Sequence, residues 1–236
     1  MIDINCDLGE GLHNEHIIMP LISSCNISCG AHAGSIEIID NVIQLAIQHN
    51  VKIGAHPSFP DRENFGRKVL NISNSELQKS LEDQLTVFKE RALLQDATIH
   101  HVKPHGALYN LIAVNREKAS VVIAAIQHVF EAVKLYVPYK SSIEEVAAQR
   151  GLEIVYEAFA DRRYNEDLSL VSRTLSNALI VDKYEVSKQV QKISDKQLVT
   201  TVNLNEKEIK ASTFCVHGDT KNAIEILQYL HKHIHT

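Results

Sequence analysis

Short runs of β-branched and apolar residues alternate along the chain with longer segments of helical periodicity. This alternation is typical of a parallel sheet built from strand–helix units. The runs predict seven strands, at residues 2–7, 25–29, 51–55, 99–103, 133–137, 154–159 and 213–217. Helical patterns fit most of the intervals, at residues 36–49, 76–94, 118–130, 142–149, 183–193 and 220–233. We expect a single domain over residues 1–236, because no Gly-, Ser- or Pro-rich linker interrupts the series.

Two smaller features add to this pattern. Ser73 stands three residues before Glu76, the spacing of a capping box at the start of a helix. Residues 198–204 and 208–211 alternate around Asn205, which predicts a small antiparallel hairpin inserted at 198–211 before the last strand.

The polarity of the strands separates an open doubly wound sheet from a closed barrel. Both strand faces are covered in the open sheet, so its strands read as nearly continuous apolar runs. Here polar residues recur at alternate positions, as with Asn5 and Asp7 on the first strand and with His101 and Lys103 on the fourth. This alternation favours an α/β barrel of seven parallel strands with a polar mouth.

Composition limits the classes of function. The 236 residues are 44% hydrophobic and 22% charged, which indicates a folded domain. The formal net charge is −5 and no basic run would follow a phosphate backbone, so we expect no nucleic acid partner. The longest charge-free apolar stretch is too short and too interrupted to span a membrane. The N-terminal segment does not resemble a signal peptide, so we expect a cytoplasmic protein whose four cysteines are free thiols.

Candidate chemistry gathers where the predicted strands end. Asp7 and Glu10 lie on a Gly-flanked turn after the first strand, where paired carboxylates could bind a metal or share acid and base roles, or simply stabilise a loop. His32 and His56 each stand just beyond a strand in a Gly-rich segment. A single histidine of this kind is more often a hydrogen-bonded structural residue, although histidine is also the commonest metal ligand and proton shuttle.

The segment 101–110 is the most informative, because His101, Lys103 and His105 fall on one side of a short strand. Burial of Lys103 without a partner would be costly, which predicts an acid neighbour or a bound anion. We expect Lys103 to contribute its charge to an anionic ligand, either a substrate carboxylate or a phosphoryl group.

Further charged groups follow other strands. Arg67 could bind an anion or lie on the solvated surface, and Asp161, Arg162 and His217 come after the sixth and seventh strands. Asp219 is expected to cap the final helix. Charged or polar groups at six of seven strand ends indicate an enzyme, because barrel enzymes build their active sites at strand ends.

These motifs together resemble the LamB/YcsF family over residues 3–230. The resemblance rests on residues 5–10, 24–34, 54–57, 65–67, 102–110, 157–162 and 216–219. It implies a distorted seven-stranded β/α barrel, TIM-like and akin to the polysaccharide deacetylases. The sequence departs from the family pattern at Ser35, where members usually carry Asp, and at Leu168, where they usually carry Gly.

The resemblance also implies an activity. It is hydrolysis of 5-oxo-L-proline to L-glutamate, coupled to cleavage of ATP to ADP and phosphate, by a complex in which this chain acts with 5-oxoprolinase subunits B and C. ATP would be a co-substrate, accompanied by Mg²⁺. The sequence has no phosphate-binding loop of the Gly-x-x-x-x-Gly-Lys-Ser/Thr type, which leaves this chain's share of the nucleotide site open.

The site residues expected for such an enzyme fall into three groups. The catalytic candidates are Asp7, Glu10, His56, Lys103, His105 and Asp161. The substrate-binding candidates are Asn26, His32, Arg67, Arg162 and His217. A divalent metal would be held by Asp7, His32 and His56. Two other functions stay open at this point, a stand-alone metal-dependent deacetylase or amidohydrolase and a non-catalytic assembly subunit.

Overall fold

Seven parallel strands form a closed barrel in the computed structural model, which describes residues 2–234. Within the described residues the chain forms nine strands, of which seven belong to the barrel. In chain order they are β1 (Asp3–Leu8), β2 (Ser24–Ser28), β3 (Lys52–His56), β4 (Ile99–Val102), β5 (Lys134–Pro138), β6 (Ile154–Phe159), β7 (Leu198–Thr200), β8 (Glu206–Glu208) and β9 (Thr213–Cys215). The barrel order is β1-β2-β3-β4-β5-β6-β9. The predicted α/β barrel is confirmed. Of the predicted domain range, Met1 and residues 235–236 lie outside the described residues.

The last barrel strand closes the ring between the first and the sixth. In β9, Thr213 pairs with Asp3 of β1 on one side and with Glu157 of β6 on the other. Because all seven strands run in parallel, their carboxyl ends meet at one mouth of the barrel.

Eight α-helices accompany the strands within residues 2–234. They are α1 (Glu15–Ile18), α2 (Ile36–Gln48), α3 (Asn74–Leu93), α4 (Gly106–Val114), α5 (Arg116–Val129), α6 (Ser142–Gln149), α7 (Lys183–Lys196) and α8 (Ala223–Ile234). The periodicity did not predict α1 or α4, which are short and follow polar motifs directly. No helix in the described part of the chain is both long and apolar enough to cross a membrane.

Helix starts follow simple capping chemistry. The Ser73 side chain accepts a hydrogen bond from the Glu76 backbone, and Glu76 bonds back to the Ser73 backbone, so the predicted capping box is present. Ser35 caps α2 by accepting from the backbone N–H of Ile38. Leu168, at a position where the resemblance implies glycine, adopts a φ of 67°, a conformation that glycine tolerates best.

The two remaining strands form a separate small sheet. β7 and β8 pair antiparallel, with Leu198 opposite Glu208 and Thr200 opposite Glu206. This sheet lies within the range predicted for a hairpin and comes just before β9 in the chain.

The barrel interior is polar at mid-height, whereas the outer faces of the strands are apolar. Asn5 and Asn26 are fully buried and hydrogen-bond to each other at 2.8 Å, and the Asn26 side-chain oxygen accepts from His101 Nε2 at 2.7 Å. The His101 ring also stacks on Tyr136, with ring centroids 3.8 Å apart. Gly54 makes room for this ring, since a Cβ there would lie 2.1 Å from His101 Nε2.

Candidate active site at the barrel mouth

A cavity of about 380 Å³ opens at the carboxyl ends of the strands. Its lining includes eight of the eleven predicted site residues, Asp7, Glu10, His56, Arg67, Lys103, His105, Arg162 and His217. The other three lie behind the wall and bond to residues that line it. Asn26 donates to Asp7, His32 bonds to Glu10, and Asp161 bonds to His217.

Lys103 is held at the floor of the cavity by two carboxylates of the chain itself. Its Nζ lies 3.0 Å from Asp7 Oδ1 and 2.9 Å from Glu157 Oε1, and the lysine is only 2% exposed. It also contacts Asn5 Oδ1 at 3.3 Å and Cys215 Sγ at 3.1 Å. The sequence predicted either an acid neighbour or a bound anion beside Lys103. In the structure, Lys103 has two acid neighbours.

These contacts determine the ionisation of Asp7 and Lys103 at the floor of the cavity. Burial on its own would raise the pKa of Asp7, but its interactions with His56 and Lys103 outweigh burial and hold that pKa well below its usual value. Burial would lower the pKa of Lys103, but Asp7, Cys215 and Glu157 outweigh it and raise that pKa well above its usual value. At neutral pH the floor therefore carries the Lys103 ammonium beside the ionised carboxylate of Asp7.

A second pair of groups stands on the opposite wall. Asp161 accepts hydrogen bonds from His217 Nδ1 at 2.9 Å, from the His217 backbone N–H at 3.0 Å and from Thr220 Oγ1 at 2.5 Å. Burial raises the pKa of Asp161, but His217 and these hydrogen bonds outweigh burial and lower it below the usual value. Because the ionised carboxylate holds the Nδ1 proton, His217 Nε2 can exchange a proton with a ligand.

Three histidines and a glutamate form a cluster beside Asp7. Glu10, His32, His56 and His105 each offer a ligand atom, and these atoms all lie within 4.8 Å of one another. Two of the predicted metal candidates, His32 and His56, belong to this cluster. The third, Asp7, lies next to it, with Oδ2 3.5 Å from His56 Nε2.

Burial makes the stability of the fold sensitive to mild acid. It lowers the pKa of His32 and of His105 to about 3, and it lowers the pKa of His101 well below 6.5. Below about pH 6.5 the unfolded chain binds protons that the folded chain does not, so stability must fall as the pH is lowered. Each imidazole contributes a slope of about 1.4 kcal/mol per pH unit inside that window.

We expect the free energy of unfolding, measured by denaturant titration, to fall steadily from pH 6.5 to pH 5. Carboxylates with lowered pKa, such as Asp7 and Asp161, lose their contribution mainly below about pH 5. Burial and the nearby Asp7 raise the pKa of Glu10, so Glu10 opposes the fall, but the three histidines outweigh one glutamate. A His101→Gln variant should have a shallower slope, and the exposed His128→Gln should match the wild type. Constant or rising stability across this range would contradict the prediction.

Arginines line the outer part of the cavity. Arg67 and Arg173 both bind the carboxylate of Asp219, at 2.7 Å and 2.9 Å. Arg162 is 6% exposed and donates from Nη2 to the Val171 carbonyl at 2.6 Å. Among the described residues, none accepts a hydrogen bond from the buried Arg162 Nε. The expectation that Asp219 caps the last helix is wrong, because α8 begins only at Ala223 and Asp219 binds the arginines instead.

A model of the LamB/YcsF family matches residues 2–236. The chain belongs to the LamB/YcsF family. This match confirms the resemblance drawn from the motifs.

Relatives within the LamB/YcsF family are similar over nearly their whole length. A protein of Bacillus cereus strain B4264, named as the A subunit of 5-oxoprolinase, is 39% identical, and the match covers 98% of this chain and 94% of that protein. A Bacillus anthracis protein of the same name is 38% identical with the same coverage. A crystal structure of a lactam utilization protein from Thermus thermophilus superposes with a TM-score of 0.91 at 32% identity, over 98% of this chain and 94% of the other.

Two predicted substrate contacts have a different position in this LamB/YcsF chain. Asn26 is fully buried beneath the floor, where its amide donates to Asn5 and to Asp7, so it orients the Asp7 carboxylate rather than facing a ligand. His32 is 1% exposed and lies behind Glu10. His56 is the last residue of β3 rather than a loop residue beyond it, which fixes its ring more firmly.

Sequence reasoning missed two charged residues of the site. Glu157 begins the motif 157–162 but is not among the expected site residues, although its side chain is fully buried against Lys103. The sequence signal that could have identified Glu157 is an acid on an alternating strand, which could pair with a buried lysine on another strand. Arg173 lies in the long segment between β6 and α7, which has no periodicity to place it, and no sequence signal singled it out.

Proposed function

We propose that this chain is the A subunit of an ATP-dependent 5-oxoprolinase. The observation that carries the proposal is the relationship over 98% of the chain to proteins named as the A subunit of 5-oxoprolinase. The cavity supports it, because polar residues of all seven motifs contribute to one site or to its immediate backing. Its volume suits a small ligand.

The substrate is a five-membered lactam that carries a carboxylate. In this proposal the carboxylate binds at the arginine side of the cavity, where Arg162 Nε is buried and has no acceptor among the described residues. A charged acceptor there would satisfy that donor through a charge-assisted hydrogen bond. Arg67 and Arg173 reinforce the positive charge, with Asp219 holding their side chains in place.

Opening of the lactam requires a base for the attacking water and an acid for the ring nitrogen. Asp7 lines the cavity, is ionised and has Oδ2 3.5 Å from His56 Nε2, so Asp7 accepts the water proton. Lys103 keeps Asp7 ionised and in place, with Asn26 as a second donor. His217, oriented by Asp161, delivers a proton to the leaving nitrogen. The C–N bond breaks, and the attacking water supplies one oxygen of the new carboxyl group.

A lactam is a poor electrophile, and ATP supplies its activation in this proposal. Transfer of the γ-phosphoryl group to the lactam oxygen would release ADP and make the ring carbon a better electrophile. Addition of water and cleavage of the C–N bond would then leave an acyl phosphate, which a second water molecule cleaves to glutamate and phosphate. We assign ATP, with Mg²⁺, to the complex of this chain with subunits B and C. The isolated chain is therefore expected to show little 5-oxoproline-dependent ATP cleavage, with activity appearing when B and C are added.

Replacement of Arg162 by Met tests the substrate site. In a reconstituted complex of all three subunits we expect the KM for 5-oxoproline to rise about ten- to a hundredfold, since one charge-assisted contact of about 1.5–3 kcal/mol is lost. Turnover is followed by glutamate and ADP release. Arg163→Met is the matched control, because Arg163 is 40% exposed and pairs with Glu185 on the surface. An unchanged KM in a folded Arg162→Met chain would overturn the assignment of the carboxylate site.

The cluster of Glu10, His32, His56 and His105 favours one other function, a stand-alone metal-dependent amide hydrolase. Assays of the isolated chain separate this function from the ATP-dependent one. Robust cleavage of a simple amide or acetyl substrate by this chain alone, without ATP, would favour the stand-alone enzyme. A complex that keeps full activity when Asp7 is replaced by Asn would instead assign this chain a non-catalytic role in assembly.

A further inference from the structure

Four donor atoms converge at the inner wall of the cavity. Glu10 Oε1 lies 3.0 Å from His32 Nε2, 3.8 Å from His56 Nε2 and 3.3 Å from His105 Nδ1. His105 Nδ1 is also 3.0 Å from His56 Nε2. One ligand atom of each side chain thus faces a common centre.

The outer nitrogen of each ring shows which tautomer is present. His56 Nδ1 lies 2.6 Å from the Lys103 carbonyl, and His105 Nε2 lies 2.9 Å from the Phe65 carbonyl. A carbonyl only accepts, so both outer nitrogens carry protons and the inner nitrogens are left with lone pairs. Both histidines therefore present acceptor atoms to the centre of the cluster.

His32 follows the same rule through a hydroxyl. The Ser58 hydroxyl donates its only proton to the Phe59 carbonyl at 2.8 Å, so it accepts a proton from His32 Nδ1 at 2.9 Å. His32 Nε2 therefore also presents a lone pair to Glu10. These outer hydrogen bonds are of the kind that fix metal-binding histidines.

Without a cation this arrangement is electrostatically unfavourable. Three imidazole lone pairs and a carboxylate face one another, and the 3.0 Å separation of His56 Nε2 and His105 Nδ1 brings two acceptors into contact. A bound cation would relieve the repulsion.

We propose that Glu10, His32, His56 and His105 bind one divalent cation of the Zn²⁺ type in a tetrahedral site. Bonds of about 2.0–2.1 Å place tetrahedral ligand atoms about 3.3 Å apart. Four of the six separations between the ligand atoms here range from 3.0 to 3.8 Å, and the two between His32 and the other histidines are within 4.8 Å. Imidazole and carboxylate donors suit Zn²⁺.

The surroundings fit a divalent charge. Asp7 Oδ2 lies 3.5 Å from His56 Nε2 and adds a second negative charge beside the centre. Asp7 Oδ1 binds the Lys103 ammonium, so the carboxylate stands between that cation and the cluster. A second group, Asp7, Cys215 and His217, also has close ligand atoms, but Lys103 Nζ already contacts Asp7 and Cys215. We therefore assign the metal to the first cluster alone.

Glycine allows the cluster to be this compact. A Cβ at Gly66 would lie 2.9 Å from His105 Cδ2 and 3.1 Å from His32 Cβ, and the residue adopts a φ of +62°. The two imidazoles stack at 3.8 Å between centroids beside it. The loop before α3 therefore helps to hold two of the four ligands.

The test uses the full chain without a polyhistidine tag, stripped with a chelator and titrated with Zn²⁺ or Co²⁺. We expect about one Zn²⁺ per chain after dialysis, a rise in the thermal midpoint on binding, and the intense visible absorption of tetrahedral Co²⁺. Glu10→Gln and His105→Gln should each weaken Zn²⁺ binding at least about a hundredfold. Ser58→Ala, which removes only the acceptor behind His32, should weaken it about tenfold.

The controls keep the outcome decisive. His128→Gln changes an exposed histidine on α5 and should bind Zn²⁺ like the wild type. If His105→Gln fails to fold, judged by circular dichroism, Glu10→Gln and Ser58→Ala still carry the test. The proposal is overturned if the wild type retains no stoichiometric Zn²⁺, if Co²⁺ gives only the weak absorption of an octahedral ion, or if Glu10→Gln binds as tightly as the wild type.

Discussion

Replacement of Lys103 by Met is expected to lower the free energy of unfolding by about 3–5 kcal/mol and to abolish turnover in the reconstituted complex. The variant leaves Asp7 and Glu157 as two buried carboxylates without their shared cation. The motif alone predicts a milder result, with an intact fold and a loss of rate of about ten- to a hundredfold. The larger effect follows from burial of the whole ion triad. Denaturant titration and glutamate release measure the two losses.

A double variant and a surface control check the cause. Lys103→Met combined with Glu157→Gln should recover part of the lost stability, because one uncompensated carboxylate is removed. Lys52→Met breaks an ion pair with Asp3 in which the lysine side chain is 49% exposed, and should cost less than about 1 kcal/mol. If Lys103→Met is as stable as Lys52→Met, the buried triad does not stabilise the fold as described.

Replacement of Gly54 by Ala is expected to destabilise the protein by at least about 3 kcal/mol, or to prevent its accumulation in folded form. The new Cβ would lie 2.1–2.5 Å from three atoms of the His101 ring. That ring cannot move without loss of its stacking on Tyr136 and its hydrogen bond to Asn26. Thermal unfolding and soluble yield measure the effect.

Gly218→Ala is the matched control. Its Cβ would meet Leu12 Cδ1 at 3.4 Å, which is the end of a flexible and exposed side chain, so little change is expected. If the clash with His101 is the cause, Gly54→Ala in a His101→Ala background should add little to the cost of His101→Ala alone. Full additivity of the two changes would contradict this explanation.

The fold could be predicted from the sequence because two independent patterns agreed. Alternating strand and helix segments indicated parallel units, and polar alternation on strands such as β1 and β4 indicated a closed barrel. Strand positions were within a few residues of those observed. Helix α4 was not predicted because it begins directly at Gly106, with His105 at its N-cap and no preceding loop that would mark its start.

The site could be predicted only as a set of strand-end residues. Spacing along a strand shows that Lys103 points inward, but it does not show that Glu157, from a strand two positions away in the ring, is its partner. The roles of Asn26 and His32 were likewise hidden, because burial behind Asp7 and Glu10 depends on how neighbouring strands register. The arginine group depends on a long irregular segment, for which periodicity has no information.

Closure of the barrel by β9 has a consequence for how the protein folds during synthesis. Thr213 must pair with Asp3, some two hundred residues earlier in the chain, before the ring is complete. Until then β1 and β6 both expose edges that invite pairing with other chains. At roughly 5–20 residues per second the ribosome needs on the order of 10–40 s to make the intervening chain. Asp161 gains its bonds to His217 and Thr220 at the same late stage, so the nascent chain acquires its closed edge and a complete site together.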